Sequence, residues 1–340
     1  MATTDAELRL LQAARQGDQD AYTGLLEPHR AGLYAHCYRL LGSVQDAEDA
    51  MQDTMLRAWR GLPRFDGRGP LRAWLYRIAT NASLTLLRRR PRRVLPVDYG
   101  PPAGPGQSPD HLDEPIWLEP FPDRELNLAD GRAGPDARYE QRESLELAFV
   151  AALQLIPARQ RAVLILRDVV GFSAREVAET LDMTVASVNS ALQRAHKAVD
   201  ERVPEESQQT TLSALGDERL SRLVQDYADA LERADVNAIV GMLTADPSWS
   251  MPPAAAWYRG LDSIVEFLTN HALTVRWQHV RTWANGQAAV GCYRWSEEAG
   301  QYQAMVLDVL TLRGDRIESV TAFIKPEIFP SFGLPEALPA

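Results

Sequence analysis

Apolar residues recur three and four positions apart over residues 5–93 and again over 138–203, so both stretches are predicted to be helical. In the first, Ser43 is placed to cap a helix with Asp46 three residues on. Val44, Ala47, Ala50, Met51, Met55, Ala58 and Trp59 form its apolar face. A Gly/Pro turn over 65–70 opens a further helix with Leu71, Trp74, Leu75, Ile78 and Ala82 inward. In the second stretch, Pro157 starts a helix that Gly171 ends, and Ser173 with Glu176 makes a capping box for a short helix reaching Leu181. Residues 182–184 form a turn, and a longer helix follows with Val185, Val188, Ala191, Leu192 and Ala195 inward. Two helices about so tight a turn, the second with a polar outer face, predict a helix-turn-helix.

Residues 94–137 break the period. Nine Pro and five Gly fall within 96–137, too little apolar surface to offset the entropy of ordering, so an acidic Pro/Gly-rich linker is predicted. Residues 204–216 form a second, short polar linker. From 217 to 328 the pattern becomes α+β: a helix pair over 217–243, then a short strand, a turn and a third helix over 251–273. Alternating runs follow at 274–284, 287–296, 302–313 and 315–325. Helices followed by a meander predict a curved sheet wrapped over helices. Residues 329–340 are a Pro-rich tail expected to lie over that domain, and no internal repeat is present.

A length of 340 residues fits two or three domains. No run reaches the roughly 18 apolar residues of a membrane helix, and the N-terminus lacks an apolar signal core. A cytoplasmic protein without membrane contact is expected. Cys37 and Cys292 stand 255 positions apart and the six His show no ligand spacing, which points to a reducing compartment, no structural metal and no cofactor. The net charge of −10 argues against nucleic acid until it is divided along the chain. Residues 1–93 carry +5, 94–143 carry −7, 144–203 are neutral and 204–340 carry −8.

Asp46, Asp49 and Asp53, with Glu48 and Gln52 beside them, stack like charges on one helix face, which costs an isolated helix roughly a few tenths of a kcal/mol per pair. Such a stripe is a solvated face or a dock for a basic partner. The next helix carries Arg72 and Arg77 off its apolar face and Asn81 in its middle, and it ends in Arg88, Arg89, Arg90, Arg92 and Arg93. Aromatics interleaved with arginines suit stacking on bases and neutralising phosphates; a solvated helix end reads the same way. On the outer face of the helix-turn-helix, Thr184, Ala186, Ser187, Asn189, Ser190, Gln193, Arg194 and Lys197 can reach base edges and phosphates, with Ser173 and Arg175 on the preceding helix. Asn189 and Gln193 have the amide geometry for adenine, and Arg194 and Lys197 suit phosphates or guanine.

The run QDAEDAMQDTMLRAWRGLPRFDGRGPLRAWLYRIATNASLTLLRRR resembles region 2 of the sigma-70 family. It is closest to the small group-4, extracytoplasmic-function sigma factors of bacterial RNA polymerase. The resemblance implies that Asp46, Glu48, Asp49, Gln52 and Asp53 dock on the clamp helices of the largest polymerase subunit. It implies that Phe65, Arg68, Arg72, Trp74, Arg77, Asn81, Arg88, Arg89 and Arg90 hold the melted −10 strand of promoter DNA. The helix-turn-helix resembles region 4, which reads the −35 element and leans on the flap of the second-largest subunit. Val185-Ala186-Ser187-Val188-Asn189 lacks two basic residues usual in the family, which implies weak DNA binding outside the holoenzyme. An ordinary helix-turn-helix repressor would bind duplex without polymerase, and the neutral charge of 144–203 argues against it. The 42 residues of 96–137 span up to about 140 Å when extended, against about 58 Å for a 17-bp promoter spacer.

Met251-Pro252-Pro253 and Trp257-Tyr258-Arg259-Gly260 resemble the SnoaL-like branch of the NTF2-like superfamily, cone-shaped domains with a central pocket. The expected fold is therefore multidomain: a region 2 helical bundle (5–93), a linker (94–137), a region 4 helix-turn-helix (138–203), a short linker (204–216), an α+β NTF2-like cone (217–328) and the tail (329–340). Trp249, Met251, Trp257, Tyr258, Trp295 and Asp308 are the candidate pocket residues, open to an unidentified small ligand. Trp249, Trp257, Trp277, Trp283 and Trp295 equally suit a core. Asp308 stands alone in the apolar run AMVLDVLTL. It pairs with a cation such as Arg294, or joins His271 or His279 as an acid–base pair. The reading that gathers most residues is a non-enzymatic alternative sigma factor whose C-terminal domain contacts the sigma domains and replaces a separate anti-sigma protein. The alternative is a sigma-like chain whose C-terminal domain is a small-molecule enzyme.

Overall fold

The computed structural model describes residues 5–65, 69–104, 117–126 and 142–340. Arg68 lies outside the described residues. The chain divides into two compact units. As far as they are described, one takes in residues up to Arg93, 125–126 and 148–203, and the other takes in 94–124, 142–147 and 204–340.

In the first unit, α1 (Asp5–Arg15), α2 (Gln19–Leu41), α3 (Val44–Gly61) and α4 (Leu71–Leu87) form a bundle. Gly42 ends α2 with a φ of 67°, a left-handed conformation that costs glycine nothing, and its N–H returns to the Tyr38 carbonyl. Ser43 then accepts the Asp46 N–H at 3.1 Å and starts α3. Leu33, Tyr38, Leu40, Ala47, Ala50, Leu62, Leu75 and Ala79 are inaccessible and make the core. His36 Nε2 meets Thr80 Oγ1 at 2.8 Å across α2 and α4, and burial holds its pKa down at about 3, so the ring stays neutral.

Helices α5 (Leu147–Gln154), α6 (Ala158–Leu164), α7 (Ala174–Leu181) and α8 (Val185–Asp200) follow. α6 runs into a π turn over Ile165–Val169. α7 carries the complete Ser173–Glu176 capping box, and Thr184 caps α8 through the Ser187 N–H. Val188, Ala191, Ala195 and Val199 face inward; Val185, expected inward, is exposed at the first turn of α8, before the helix reaches the core. Arg161 is buried where α6 meets α2. It donates to the Leu40 carbonyl, to Gln154 Oε1, and at 3.0 and 3.3 Å to the carbonyls of Gln154 and Ile156. Carbonyls at helix ends, which carry partial negative charge, take the place of a carboxylate.

The second unit contains α9 (Gln208–Leu215), α10 (Asp217–Glu232), α11 (Val236–Met242) and α12 (Leu261–Asn270). Its strands are β1 (Leu243–Ser250), β2 (Trp257–Arg259), β3 (Trp277–Ala284), β4 (Gln287–Ser296), β5 (Gln301–Arg313), β6 (Arg316–Ile324) and β7 (Ala337–Leu338). They form one sheet in the order β2-β1-β6-β5-β4-β3, with β7 paired to β5 and only β1–β6 parallel among these pairs. The helices and meander agree with the sequence pattern; β1 was not expected, since LTADPSWS carries no clean alternation. Ala288, Val290, Cys292, Leu310 and Val320 point into a core with Tyr227, Trp249, Ile264 and Phe267. The other face is covered by the C-terminal segment. Phe329 meets Tyr293 edge-on at 5.2 Å, and Tyr293 donates to the Pro335 carbonyl.

Parts of the sequence expected to stay outside any core belong to this unit. Val94, Leu95, Trp117, Leu118 and Phe121 are buried. Leu118 donates to the Val94 carbonyl at 2.9 Å, Ala103 donates to the Trp257 carbonyl at 2.7 Å, and Trp257 Nε1 donates to the Gly100 carbonyl at 2.8 Å. The Pro/Gly-rich stretch cannot build a core, but it can add to one supplied by another domain. Likewise α9 occupies the predicted second linker, capped by Ser207.

Gly291 carries the close approach of the C-terminal segment: a Cβ there would lie 2.6 Å from Leu334 Cδ1 and 3.2 Å from Phe329 Cε1. Gly291→Val is expected to displace Leu334 and cost ~1–3 kcal/mol of stability, read as a lowered urea midpoint. An unchanged midpoint would show that the covering segment is free to shift.

Candidate polymerase and nucleic-acid interface

The acidic residues of α3 divide. Glu48, Asp49 and Gln52 are exposed, and Asp53 accepts from Arg57 at 2.8 Å one turn on. Asp46 is not part of the exposed stripe. It is buried beneath α4's end, 2.6 Å from Arg93 Nη2 and 3.4 Å from Arg90 Nε. An acid at helix position N3 meeting a returning arginine run explains the inward turn. Glu48, Gln52, Met51 and Met55 of α3 face Glu27, Arg30 and Tyr34 of α2 across a cleft of about 740 Å³, with Glu125 at its edge. Met51 is buried, as the patterning expected, and Met55 is half-buried; both also reach the cleft wall, where flexible thioethers suit an irregular partner.

On α4, Arg77 and Asn81 lie one turn apart and exposed, with Arg88 and Arg89 exposed beyond the helix end. Phe65 and Trp74 meet with ring centroids 5.0 Å apart, and Arg15 donates to the Phe65 carbonyl. Arg90 is tied to Asp46 and, at 3.9 Å, to Asp49. Arg72 is also engaged. Its Nη2 donates to the Val170 carbonyl at 2.8 Å, and its guanidinium sits 5.2 Å from the Tyr76 ring centroid and 5.3 Å from that of Phe172.

On the helix-turn-helix, Ser173, Arg175, Thr184, Ala186, Ser187, Asn189, Ser190, Gln193, Arg194 and Lys197 are all exposed. The turn residue Asp182 takes a φ of 53°, and α8 presents Asn189, Gln193 and Lys197 along one face. A helix offering two amides and a lysine along one face, with Arg194 beside them, is chemically suited to a major groove.

In the C-terminal domain, Asp308 is buried at β5 opposite Val290. Arg294, the suggested partner, stands opposite Gln303 and is exposed. Tyr227 instead donates to Asp308 Oδ2 at 2.8 Å, with Cys292 Sγ 3.5 Å away, while Oδ1 has no partner among the described residues. Burial raises the Asp308 pKa to about 6, against the lowering effect of these two bonds. Trp249, Met251 and Tyr258 share the core with Asp308's neighbours Tyr227 and Cys292. The other candidate pocket residues do not join them: Trp257 reaches toward Gly100, and Trp295 packs on Tyr302 and Arg276 at the far end of β4. His279 is buried beside Glu232 with its pKa lowered to about 4 by burial, His271 is exposed against Phe267, and Trp283 is exposed on edge strand β3. Neither histidine is bonded to Asp308.

A polar cluster not singled out by the sequence surrounds the β3–β4 turn, Asn285-Gly286. Asn285 Oδ1 accepts the Phe121 N–H and its Nδ2 donates to the Leu145 carbonyl, both at 2.8 Å. Gly286 N–H donates to Asp123 Oδ1 at 2.8 Å, and Gln209 Nε2 donates to the Gly286 carbonyl at 2.7 Å. Gln287 Oε1 accepts the Leu147 N–H, and Glu146 Oε1 accepts the Gln209 N–H, each at 2.8 Å. The Asn-Gly pair between two alternating runs was the available signal for the turn; nothing local signals its partners. Burial raises Asp123 to about 6 and Glu146 to about 7, each opposed by the backbone N–H bonds it accepts.

Family models for sigma-70 region 2, sigma-70 region 4 and a SnoaL-like domain match residues 25–93, 146–199 and 224–320. The chain is 41% identical over 328 residues to the ECF RNA polymerase sigma factor SigG of Mycobacterium tuberculosis, covering 95% of this chain and 86% of that one. It is 33% identical over 200 residues to the RNA polymerase sigma factor CnrH of Cupriavidus metallidurans, covering 57% of this chain and 93% of that one. Among solved structures, the extracytoplasmic function sigma factor SigJ of Mycobacterium tuberculosis matches with a TM-score of 0.58 over 92% of this chain and 100% of that one. At 21% identity that match speaks to the fold.

Asp46→Ala is expected to cost roughly 3 kcal/mol, because it removes the carboxylate facing a buried arginine, while Asp49→Asn stays within about 0.5 kcal/mol. Chemical denaturation distinguishes the two, and equal effects would place Asp46 on the surface. The pH dependence of the second unit follows from its raised carboxyls. Stability from Asp123, Glu146 and Asp308 is present below their unfolded pKa values and lost as pH rises through the folded ones, near 6 to 7. His279 acts in the opposite sense, but above its ordinary 6.5 it is neutral in both states. Above pH 6.5 mainly Glu146 still has stability to lose, so the urea midpoint should fall between pH 6.5 and about 7.5 and then level off, and Glu146→Gln should flatten the fall. Tryptophan fluorescence reports it, six of the eight tryptophans standing in that unit. A midpoint that rises with pH would contradict this account.

Proposed function

The chain belongs to the extracytoplasmic-function sigma factors of the sigma-70 family, and on that premise we propose how its surfaces divide the work of directing RNA polymerase. Glu48, Asp49, Gln52 and Asp53 dock on the clamp helices, and the cleft they border with α2 receives part of that partner. Phe65, Trp74, Arg77, Asn81, Arg88 and Arg89 hold the melted −10 strand. The exposed face of α8, with Ser173 and Arg175 of α7, reads the −35 element. Asp46 and Arg90 act one step back, fixing the end of α4 against α3.

The C-terminal domain regulates this activity in place of a separate anti-sigma protein. One observation carries the reading: Arg72, a residue expected to face the −10 strand, is engaged by the Val170 carbonyl and the Phe172 ring of region 4. Arg72 remains exposed at its edge, so a phosphate has to compete with the Val170 carbonyl and the aromatic faces for it. This supports a closed free state that has to open on the promoter. The attachment of linker residues 94–104 and 117–124 to the C-terminal unit gives that domain a means of holding it.

A second reading has one observation in its favour. Asp308, buried with one oxygen that has no partner among the described residues and with a raised pKa, is the kind of group a small-molecule enzyme would use. Turnover abolished by Asp308→Asn would carry it.

The test is reconstituted transcription with core polymerase, comparing the full chain with one ending at Val203. Truncation is expected to change promoter output while core binding survives. Equal output from both would overturn the regulatory role.

A further inference from the structure

The cluster at the β3–β4 turn joins segments that are distant in sequence. Phe121 and Leu145 are 24 positions apart, a stretch that reaches about 80 Å when extended. In the structure a single side chain bridges them. Asn285 Oδ1 takes the Phe121 N–H and Asn285 Nδ2 gives to the Leu145 carbonyl, each over 2.8 Å, so the two backbones are separated by one amide and two hydrogen bonds. The Asn285 N–H also donates to the Phe121 carbonyl at 2.9 Å. Asn285 and Gln287 are both buried, so water does not compete for these bonds. Asp123 on the Gly286 N–H and Leu147 on Gln287 fasten the flanking residues. Upstream, Lys325 binds Glu119 and the Trp257 indole binds Gly100.

We infer that the Asn285 amide is a staple that keeps the linker between regions 2 and 4 short, and that its release lengthens the linker to promoter-spanning reach. This deepens the regulatory reading above and rests on it. A 17-bp spacer covers about 58 Å, and with Phe121 and Leu145 held on one side chain the stretch between them adds almost nothing to that distance. The flanking carboxylates Asp123 and Glu146 face Arg142 and Glu143 respectively, and both are held against the unfavourable burial of their charge. Release has to withdraw the fully buried Phe121 and Leu145 as well as break the hydrogen bonds, so it calls for compensating contacts made in the transcription complex.

The test uses the full chain. Asn285 has a φ of 56°, so Asn285→Gly keeps the turn and removes only the amide. Hydrogen exchange at the Phe121 amide is expected to accelerate at least tenfold, while amides of β4 and β5 keep their protection. In transcription with core polymerase, Asn285→Gly should shift output in the same direction as truncation at Val203. Asn285→Asp retains the acceptor for Phe121 and lacks the donor for Leu145. It should keep Phe121 protected yet speed tryptic cleavage after Arg142. Unchanged Phe121 exchange in Asn285→Gly would overturn the staple. So would faster exchange with parental output, where truncation itself changes output. Equal output from parent and truncated chains would remove the regulatory reading instead, and the two failures are separable because exchange reports the staple without polymerase.

Discussion

A side-chain amide out of reach of water has to find its partners in protein, and Asn285 finds them on two segments of backbone. The same requirement recurs wherever distant parts of this chain meet. The two terminal nitrogens of Arg161 donate to carbonyls at the ends of α2 and α5, which joins the region 4 helices to the region 2 bundle within one unit. Asp46 is satisfied by Arg93, which fixes the basic end of α4 against the acidic helix α3. In each case the apolar core sets what is buried, and a polar group inside it sets which segment is bound there.

These joints bear on function because they use the residues that function needs. Arg72 is suited to a phosphate, and in the free chain it is spent on Val170 and Phe172. Arg90 is suited to DNA and is paired with Asp46 and Asp49. The proposed −35 face of α8 makes no such sacrifice: its amides and cations stand exposed. Regulation by closure, on this account, acts on region 2 and on the length of the linker rather than on the reading helix.

Asp308 illustrates a different balance. Its carboxyl sits in the apolar core of the sheet with Tyr227 and Cys292 as partners, and burial shifts it toward the protonated form. A protonated carboxyl accepts from Tyr227 on one oxygen and leaves the other without a partner. Below about pH 6 the neutral form avoids most of the cost of a buried charge, and above it the Tyr227 and Cys292 bonds offset part of that cost.

Local chemistry was legible in the sequence. The capping of α3 and α7, the helix-turn-helix spacing and the four meander strands all follow from interactions within a few residues of each other. So did the charge division and the exposed polar face of α8, which depend only on composition and period. Partner choice did not follow. Asp46 and Asp49 are three residues apart and chemically alike, yet one is buried under an arginine and the other is exposed, because α4 returns over only one of them. Asp308 paired with a tyrosine on α10 rather than with Arg294, because sheet register placed that arginine opposite Gln303. The Pro/Gly stretch read as unable to order itself, and in the structure parts of it are held by surfaces supplied more than a hundred residues later. Period, caps and turns act through neighbouring residues and are written in the sequence, whereas the pairing of buried polar groups depends on which distant segments the packed core brings within hydrogen-bonding reach.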